Sequence, residues 1–387
     1  MAYALHRSLR KQNVDSHFVI AGNKTTDFEQ VYGLSEISRI KNLEFLVTKK
    51  LDRLLLRKYV NRSVQYFSPG QMGLNLKFLI KKFSPHILHL HWVNDGGLKI
   101  SSLGDIHIPI VWTLHDQWPM TGGCHYTGLC RGHVTSCGRC PVLGSNQSSD
   151  ISRAGALAKQ QTFKQIHFVA VSEWMKSEAN SSKQIKNSKI HMIYNGIETN
   201  IFFQKNYVEC RQKLNLPAKK KIILFGAHYT EDPRKGIKLL KESLALLPKE
   251  NRPLLLIFGE SIKDNEFEGF EARYMGYVEN PTDLAIAYNA ADLFISLANQ
   301  EAFGLTVAEA ISCGTRTLVL EGTGASEILK NSKNGFVISP DTHKISQKII
   351  EILLLDRPEK TEPLREFSIE ACSESYKQLY SAILSLS

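Results

Sequence analysis

The chain has 387 residues, 43% of them hydrophobic and 22% charged, the balance of a soluble globular protein long enough for two domains of about 190 residues each. No apolar run approaches the roughly 18 residues of a membrane span, and residues 1–11 lack the apolar core of a signal peptide, so spanning and secreted classes are set aside and a cytoplasmic protein is expected. The net charge of +10 is uneven: Met1–Ile197 carries 25 Lys+Arg against 12 Asp+Glu, or +13, and the remaining 23 against 26 give −3.

No nucleic-acid motif accompanies that charge, so nucleic acid is not expected as a partner. The excess gathers in Lys49–Lys58 and at Lys77, Lys81 and Lys82, where Leu51, Leu54, Leu55 and Tyr59 can share a helical face among cations. That composition suits an anionic bilayer surface, and peripheral attachment to the inner face of a membrane is the expectation. A solvated basic helix is the plainer reading.

In chain order, residues 2–11 read as an amphipathic helix and 16–22 as a strand; 22–75 show no strong period and read as loop and helix. Residues 87–92 and 110–115 are continuous apolar runs of the kind found in central parallel strands, and each carries a histidine at its end. A titratable side chain at the carboxyl end of such a strand faces the ligand crevice, which singles out His115, followed by Asp116, with His91 and Asn94 as weaker acceptor-side candidates.

Four of the seven cysteines then fall within 17 residues, Cys124, Cys130, Cys137 and Cys140, as C-x5-C-x6-C-x2-C in a segment of about 118–145. In a reducing compartment that spacing suits a structural zinc site, with His125 or His133 as substitute ligands; disulfides and free thiols stay open. No water-activating His/carboxylate set accompanies it, so such a metal would pin a loop rather than catalyse. Further strands are read at 166–172, with Ser172 capping the next helix, and at 190–194, ending in Asn195-Gly196, a natural hinge.

The second half opens with a strand at 221–226, followed by a loop that ends Arg234-Lys235-Gly236 at a helix start, well made for a diphosphate. Strands at 254–259 and 274–278 and a helix at 283–291 lead to the strand 293–296. Beyond it, Glu301-Ala302-Phe303-Gly304-Leu305-Thr306-Val307-Ala308-Glu309 passes from loop into helix. Backbone amides at that helix start can hold phosphate, and two carboxylates bracketing an anion site can serve paired hydroxyls, as on a ribose or hexose. The combination points to a nucleotide-sugar pocket. Strands at 317–320 and 335–338 and a final helix at 368–386 complete a repeated strand-helix order, a doubly wound reading.

Glu301 and Glu309, with Phe303-Gly304 between them, resemble the paired-glutamate motif of retaining glycosyltransferase family 4, and the resemblance extends over nearly the whole chain. It implies an α/β GT-B fold, two doubly wound Rossmann-like domains facing a cleft, and the activity of a retaining hexosyltransferase. The boundaries expected are 1–196 for an acceptor-side domain, 197–366 for the nucleotide-sugar domain, and 367–387 for a helix crossing back. The resemblance further implies Glu301 against the donor sugar, Glu309 on the ribose, and the amides of Phe303, Gly304 and Leu305 on the diphosphate. Lys235, with Arg234, matches the phosphate clamp, although Ala227 stands where the family has an arginine, so Arg234 or His228 must compensate. Tyr277-Val278 match the segment beside the base, and His115 matches a strand-end histidine on the donor sugar.

The cysteine-rich insert resembles a subgroup from bacterial exopolysaccharide and capsule clusters. By comparison with the family, the chain starts inside its first helix, and the first strand with its glycine-rich turn is expected to be missing. No D-x-D pair is present, Asp264-Asn265-Glu266 being nearest, so protein cations rather than a metal cofactor are expected to offset the phosphate. The function expected is sugar transfer from a nucleotide-diphosphate sugar to a glycan or lipid-linked acceptor in cell-surface polysaccharide synthesis. A nucleotide-sugar epimerase or a non-catalytic nucleotide-sugar-binding scaffold of the same fold are the competing readings.

Overall fold

The computed structural model describes all residues except 24–27, 227–231, 261–266, 331, 358–363 and 387. The chain divides into two compact units, Met1–Tyr194 with Glu370–Ser387, and Asn195–Ile369.

The first unit contains β1 (Phe18–Ile20), β2 (Val31–Gly33), β3 (Leu88–His91), β4 (Ile110–Leu114), β5 (Ile166–Ala170) and β6 (Lys189–Met192). The last four form one parallel sheet in the order β3-β4-β5-β6, and β1 with β2 forms a separate parallel pair. Every residue of β4 is buried, because helices cover both faces of a parallel sheet and leave no solvent side for polar residues. Its Trp112 packs against Phe163 and Phe168 at ring distances of 5.3 and 6.0 Å.

Side-chain oxygens of Asp150 and Ser172 cap the helices Ile151–Thr162 and Glu173–Ser181, the latter cap being legible in the sequence. The terminal helix Ile369–Leu384 is bonded into this unit: Tyr376 to Thr113 at 2.6 Å and Tyr380 to His89 at 2.6 Å. The helix Arg39–Leu54 buries Phe45 and Asp52 but leaves Ile40 (78%), Leu43 (62%) and Val47 (48%) in water. Leu51, at 42%, continues that stripe as the sequence reading expects, whereas Leu54 and Leu55 are half-buried and Leu56 turns inward.

The second unit holds β7 (Ile222–Gly226), β8 (Leu254–Phe258), β9 (Ala272–Gly276), β10 (Leu293–Ser296), β11 (Arg316–Leu320) and β12 (Gly335–Ile338), all parallel in the order β12-β11-β10-β7-β8-β9. Ile223, Leu255, Leu293 and Leu318 from its central strands are fully buried in one core with Leu244 and Ile349 from covering helices. The strand order reverses between β7 and β10. Above the carboxyl ends of strands at such a reversal, the flanking loops diverge and leave a crevice.

Candidate active site

Both loops at that reversal carry the candidate residues. After β7, Asp232 caps the short turn Pro233–Lys235, accepting from the Arg234 amide at 3.0 Å and from its guanidinium at 2.9 Å. Gly236 follows at φ +70°, and a Cβ there would stand 2.0 Å from the Leu297 carbonyl oxygen, so only glycine lets this turn lie against the continuation of β10. The close approach sets Lys235 beside Glu301. Lys235 Nζ donates to Glu301 Oε2 at 2.8 Å, Arg234 Nη1 lies 3.8 Å from the same oxygen and donates to the Gln300 carbonyl at 3.0 Å. Burial alone would raise the Glu301 carboxyl; the Lys235 and Arg234 charges outweigh it and hold the group ionised, below the usual carboxylate range.

Gly304, at φ +94°, starts the helix Leu305–Ser312, and its missing Cβ makes room for Ala325, which would otherwise be met at 2.7 Å. Phe303 is buried against Phe367, rings 5.7 Å apart. Within the helix, Glu309 Oε2 accepts from the Tyr288 hydroxyl at 3.0 Å, and burial pushes its carboxyl up to about 7. The two glutamates therefore differ in proton affinity for a local reason: two cations beside one, burial with only a phenol donor for the other.

A cavity of about 290 Å³ opens here, with Lys235, Tyr277, Val278 and Glu301 in its wall. Arg234, Phe303, Gly304, Leu305 and Glu309, expected there from the sequence, are not in that wall. Sequence reasoning missed Phe258, Gly259, Ser296 and Thr306 in the same wall; their signal was position, the carboxyl ends of β8 and β10 and the first turn of the helix. Ala227 and His228 lie outside the described residues, as does Asp264-Asn265-Glu266.

In the first unit, His115 Nε2 is hydrogen-bonded to His91 Nδ1 at 2.9 Å, and His89 joins Tyr380 and Thr113 at 2.6 and 2.8 Å. Burial lowers His115 to about 4 and His89 to about 3, so this chain of imidazoles is neutral near pH 7 and exchanges hydrogen bonds rather than charge. Asp116 takes three donors: the Trp118 amide at 2.9 Å, the Trp92 indole at 3.0 Å and His125 Nδ1 at 2.6 Å.

Cys124, Cys130, Cys137 and Cys140 line one small cavity of about 20 Å³, and all seven cysteines are free thiols. Among the described residues no group of three or more His, Cys, Asp or Glu side chains comes together as a metal site. The Gly122 amide donates to Cys137 Sγ at 3.2 Å and the Gly132 amide to Cys130 Sγ at 3.3 Å. Beside the insert, Lys159 is wholly buried; its ammonium donates to the carbonyls of Trp118 and Thr121 and sits 3.5 Å from the centre of the Trp118 ring. His125 bonds Asp116 and Ser68, and His133 lies near Ser181 and Glu178 at 3.3 and 3.4 Å.

Comparison with known proteins identifies the family and the fold. The family model described as Glycosyltransferase Family 4 matches residues 1–201, and that described as Glycosyl transferases group 1 matches residues 208–370. WcaC of Escherichia coli K12, assigned to glycosyl transfer in colanic acid biosynthesis, is 24% identical over 98% of this chain and 92% of its own. Among solved structures, a sucrose-phosphate synthase from Thermosynechococcus elongatus superposes with a TM-score of 0.66 at 16% identity, covering 100% of this chain and 93% of that one. Anabaena HepE in complex with UDP-glucose gives 0.52 at 15% identity over 95% and 96%. The chain is thus a glycosyltransferase, belonging to glycosyltransferase family 4 and built on the GT-B fold of two Rossmann-like units with parallel sheets.

Proposed function

We propose that this enzyme transfers a hexose from a nucleoside-diphosphate sugar to a glycan or lipid-linked acceptor in cell-surface polysaccharide synthesis, with retention of anomeric configuration. The observation that carries the reading is the Lys235–Glu301 pair at 2.8 Å in the wall of the 290 Å³ cavity at the strand reversal. Displacing the diphosphate builds negative charge on the leaving phosphate and positive charge at the anomeric carbon. Lys235, Arg234 and the amides of Phe303, Gly304 and Leu305 meet the first; the ionised Glu301 stands beside the sugar and meets the second.

Tyr277 and Val278 border the base, Glu309 takes the ribose hydroxyls, and His115, neutral, hydrogen-bonds the donor sugar. No metal cofactor enters this chemistry, because the cations are the protein's own. That WcaC is assigned to polysaccharide synthesis, and that HepE was solved with UDP-glucose, supports the substrate class.

Two further parts belong to the proposal. The exposed apolar stripe of Arg39–Leu54, on a half of the chain with a +13 balance, rests on the anionic inner face of a membrane. Cys124, Cys130, Cys137 and Cys140, which line one small cavity without yet standing as a ligand set, would draw together on a structural zinc when the metal binds; the shared cavity and the amides donating to two of the sulfurs support this.

The test of the catalytic reading is a thermal-shift panel of UDP, GDP, ADP and CMP with their sugars. One diphosphate family should stabilise the protein, by about 2.7 kcal/mol at a hundredfold excess over its Kd. The same shift should vanish in Lys235→Ala, and silence from every nucleotide would refute the donor site.

A further inference from the structure

Trp92 is the first residue past β3 and is 49% exposed; Tyr66 beside it is 46% exposed. Their rings lie 6.3 Å apart at an interplanar angle of 28°. Two large aromatic faces left together in water call for an explanation, and here both are held still. The Trp92 indole N–H donates to Asp116 Oδ2 at 3.0 Å. The Tyr66 hydroxyl accepts from Arg53 at 3.4 Å, and Arg53 is itself forked onto both oxygens of Asp95 at 2.9 and 2.6 Å.

Beneath them the His125 ring packs 4.8 Å from Tyr66 and 5.7 Å from Trp92, locked between Asp116 at 2.6 Å and Ser68 Oγ at 3.0 Å. The backbone at Trp92 has φ +34°, in the left-handed region that a bulky side chain avoids. An exposed side chain held by buried partners on a strained backbone is characteristic of a binding site.

We infer that Trp92 and Tyr66 form a stacking platform for one pyranose ring of a glycan acceptor. One face of a pyranose is a sheet of polarised C–H groups, which the electron-rich face of an aromatic ring complements, and its equatorial hydroxyls need polar groups at the rim. The Arg53 guanidinium beside Tyr66 is more than half exposed, and Asn94 Oδ1, two residues beyond Trp92, is buried with no hydrogen-bond partner among the described residues. Because the rings are already fixed, stacking costs little ordering. Trp and Tyr also favour membrane interfaces, where the polar end of each reaches water and headgroups; here those ends are taken by Asp116 and Arg53. Only the assignment of the bound ring to the acceptor rests on the glycosyl-transfer reading.

Saturation-transfer-difference NMR with the methyl pyranosides of glucose, galactose, mannose and N-acetylglucosamine tests this, with nucleotide-induced thermal shifts read on the same samples. At least one pyranoside should show transfer concentrated on the C–H protons of one ring face. Trp92→Ala should weaken that signal by about fivefold or more, and Trp92→Phe, which keeps the ring, by less. Should Trp92→Ala fail to fold, Tyr66→Ala takes its place with the same expectation.

Equal transfer in wild type and alanine variant, or none from any pyranoside, overturns the platform. So does the finding that Trp92→Ala instead abolishes sedimentation with phosphatidylglycerol vesicles, which would make the rings a membrane contact. Pyranoside binding without any nucleotide shift would sink the donor-site reading and leave the platform standing; the reverse result would do the opposite.

Discussion

Glu309→Gln is the substitution whose consequences follow most directly from the site. The side chain keeps its volume and an oxygen for the Tyr288 hydroxyl, now 3.0 Å away, so packing is preserved and only the ionisation is removed. Burial lifts the Glu309 carboxyl from an ordinary 4.5 to about 7. Since the folded state binds this proton more tightly than the unfolded chain, stability contributed by the group is present in full below about pH 4.5 and lost as pH rises through about 7.

At full weight that displacement corresponds to about 3 kcal/mol. Glu309 is partly open to solvent, and halving for screening leaves about 1.5 kcal/mol. Glu309→Gln should therefore match the wild type near pH 4.5 and exceed it above pH 7.5 by about 1.5 kcal/mol, a melting-point gain of roughly 3–6 °C. Calorimetry across that range, alongside nucleotide binding, is the assay. Binding should weaken in the variant and lose its rise through pH 7, since an amide cannot accept from both ribose hydroxyls as a carboxylate does. Stability and binding moving in opposite directions is the expected mark of a functional carboxylate. A variant less stable at pH 8 with unchanged nucleotide affinity would refute the reasoning.

The remaining expectations concern the other elements. Lys235→Ala and Glu301→Ala should each abolish measurable transfer while lowering stability by no more than about 1 kcal/mol, because the pair is partly solvated; full activity in both would remove them from the site. Elemental analysis of the purified protein should find about one zinc per chain, and chelation should lower its melting temperature; metal-free protein with unchanged melting would dispose of the zinc site. Ile40→Glu with Leu43→Glu, both side chains already in water, should leave stability within about 0.5 kcal/mol and abolish sedimentation with vesicles containing phosphatidylglycerol; undiminished sedimentation would show that this helix is not the contact.

What the sequence reveals here depends on whether the cause is local. The strands at 110–114 and 222–226 were legible because a strand covered on both faces must be apolar throughout, and Ser172 was legible as a cap because its partner, the Met175 amide, is three residues away. Glu301 and Lys235 were found separately, each by its place at a strand end, but their meeting at 2.8 Å depends on Gly236 lying against Leu297, a contact between loops some 60 residues apart that no local period encodes. Phe258, Ser296 and Thr306 escaped for the same reason: each is an ordinary residue made important only by the strand order.

Trp92 was hidden differently. Its indole reads as the last residue of an apolar strand, yet it stands half-exposed on a positive-φ backbone and bonded to Asp116, 24 residues on, a tertiary contact that no local period encodes. His115 was read as a titratable group facing a crevice, yet its burial beside His91 makes it neutral, so its chemistry is that of a hydrogen-bonding group and not of an acid. Spacing in a sequence can nominate the residue; the charge it carries is decided by neighbours that spacing does not name.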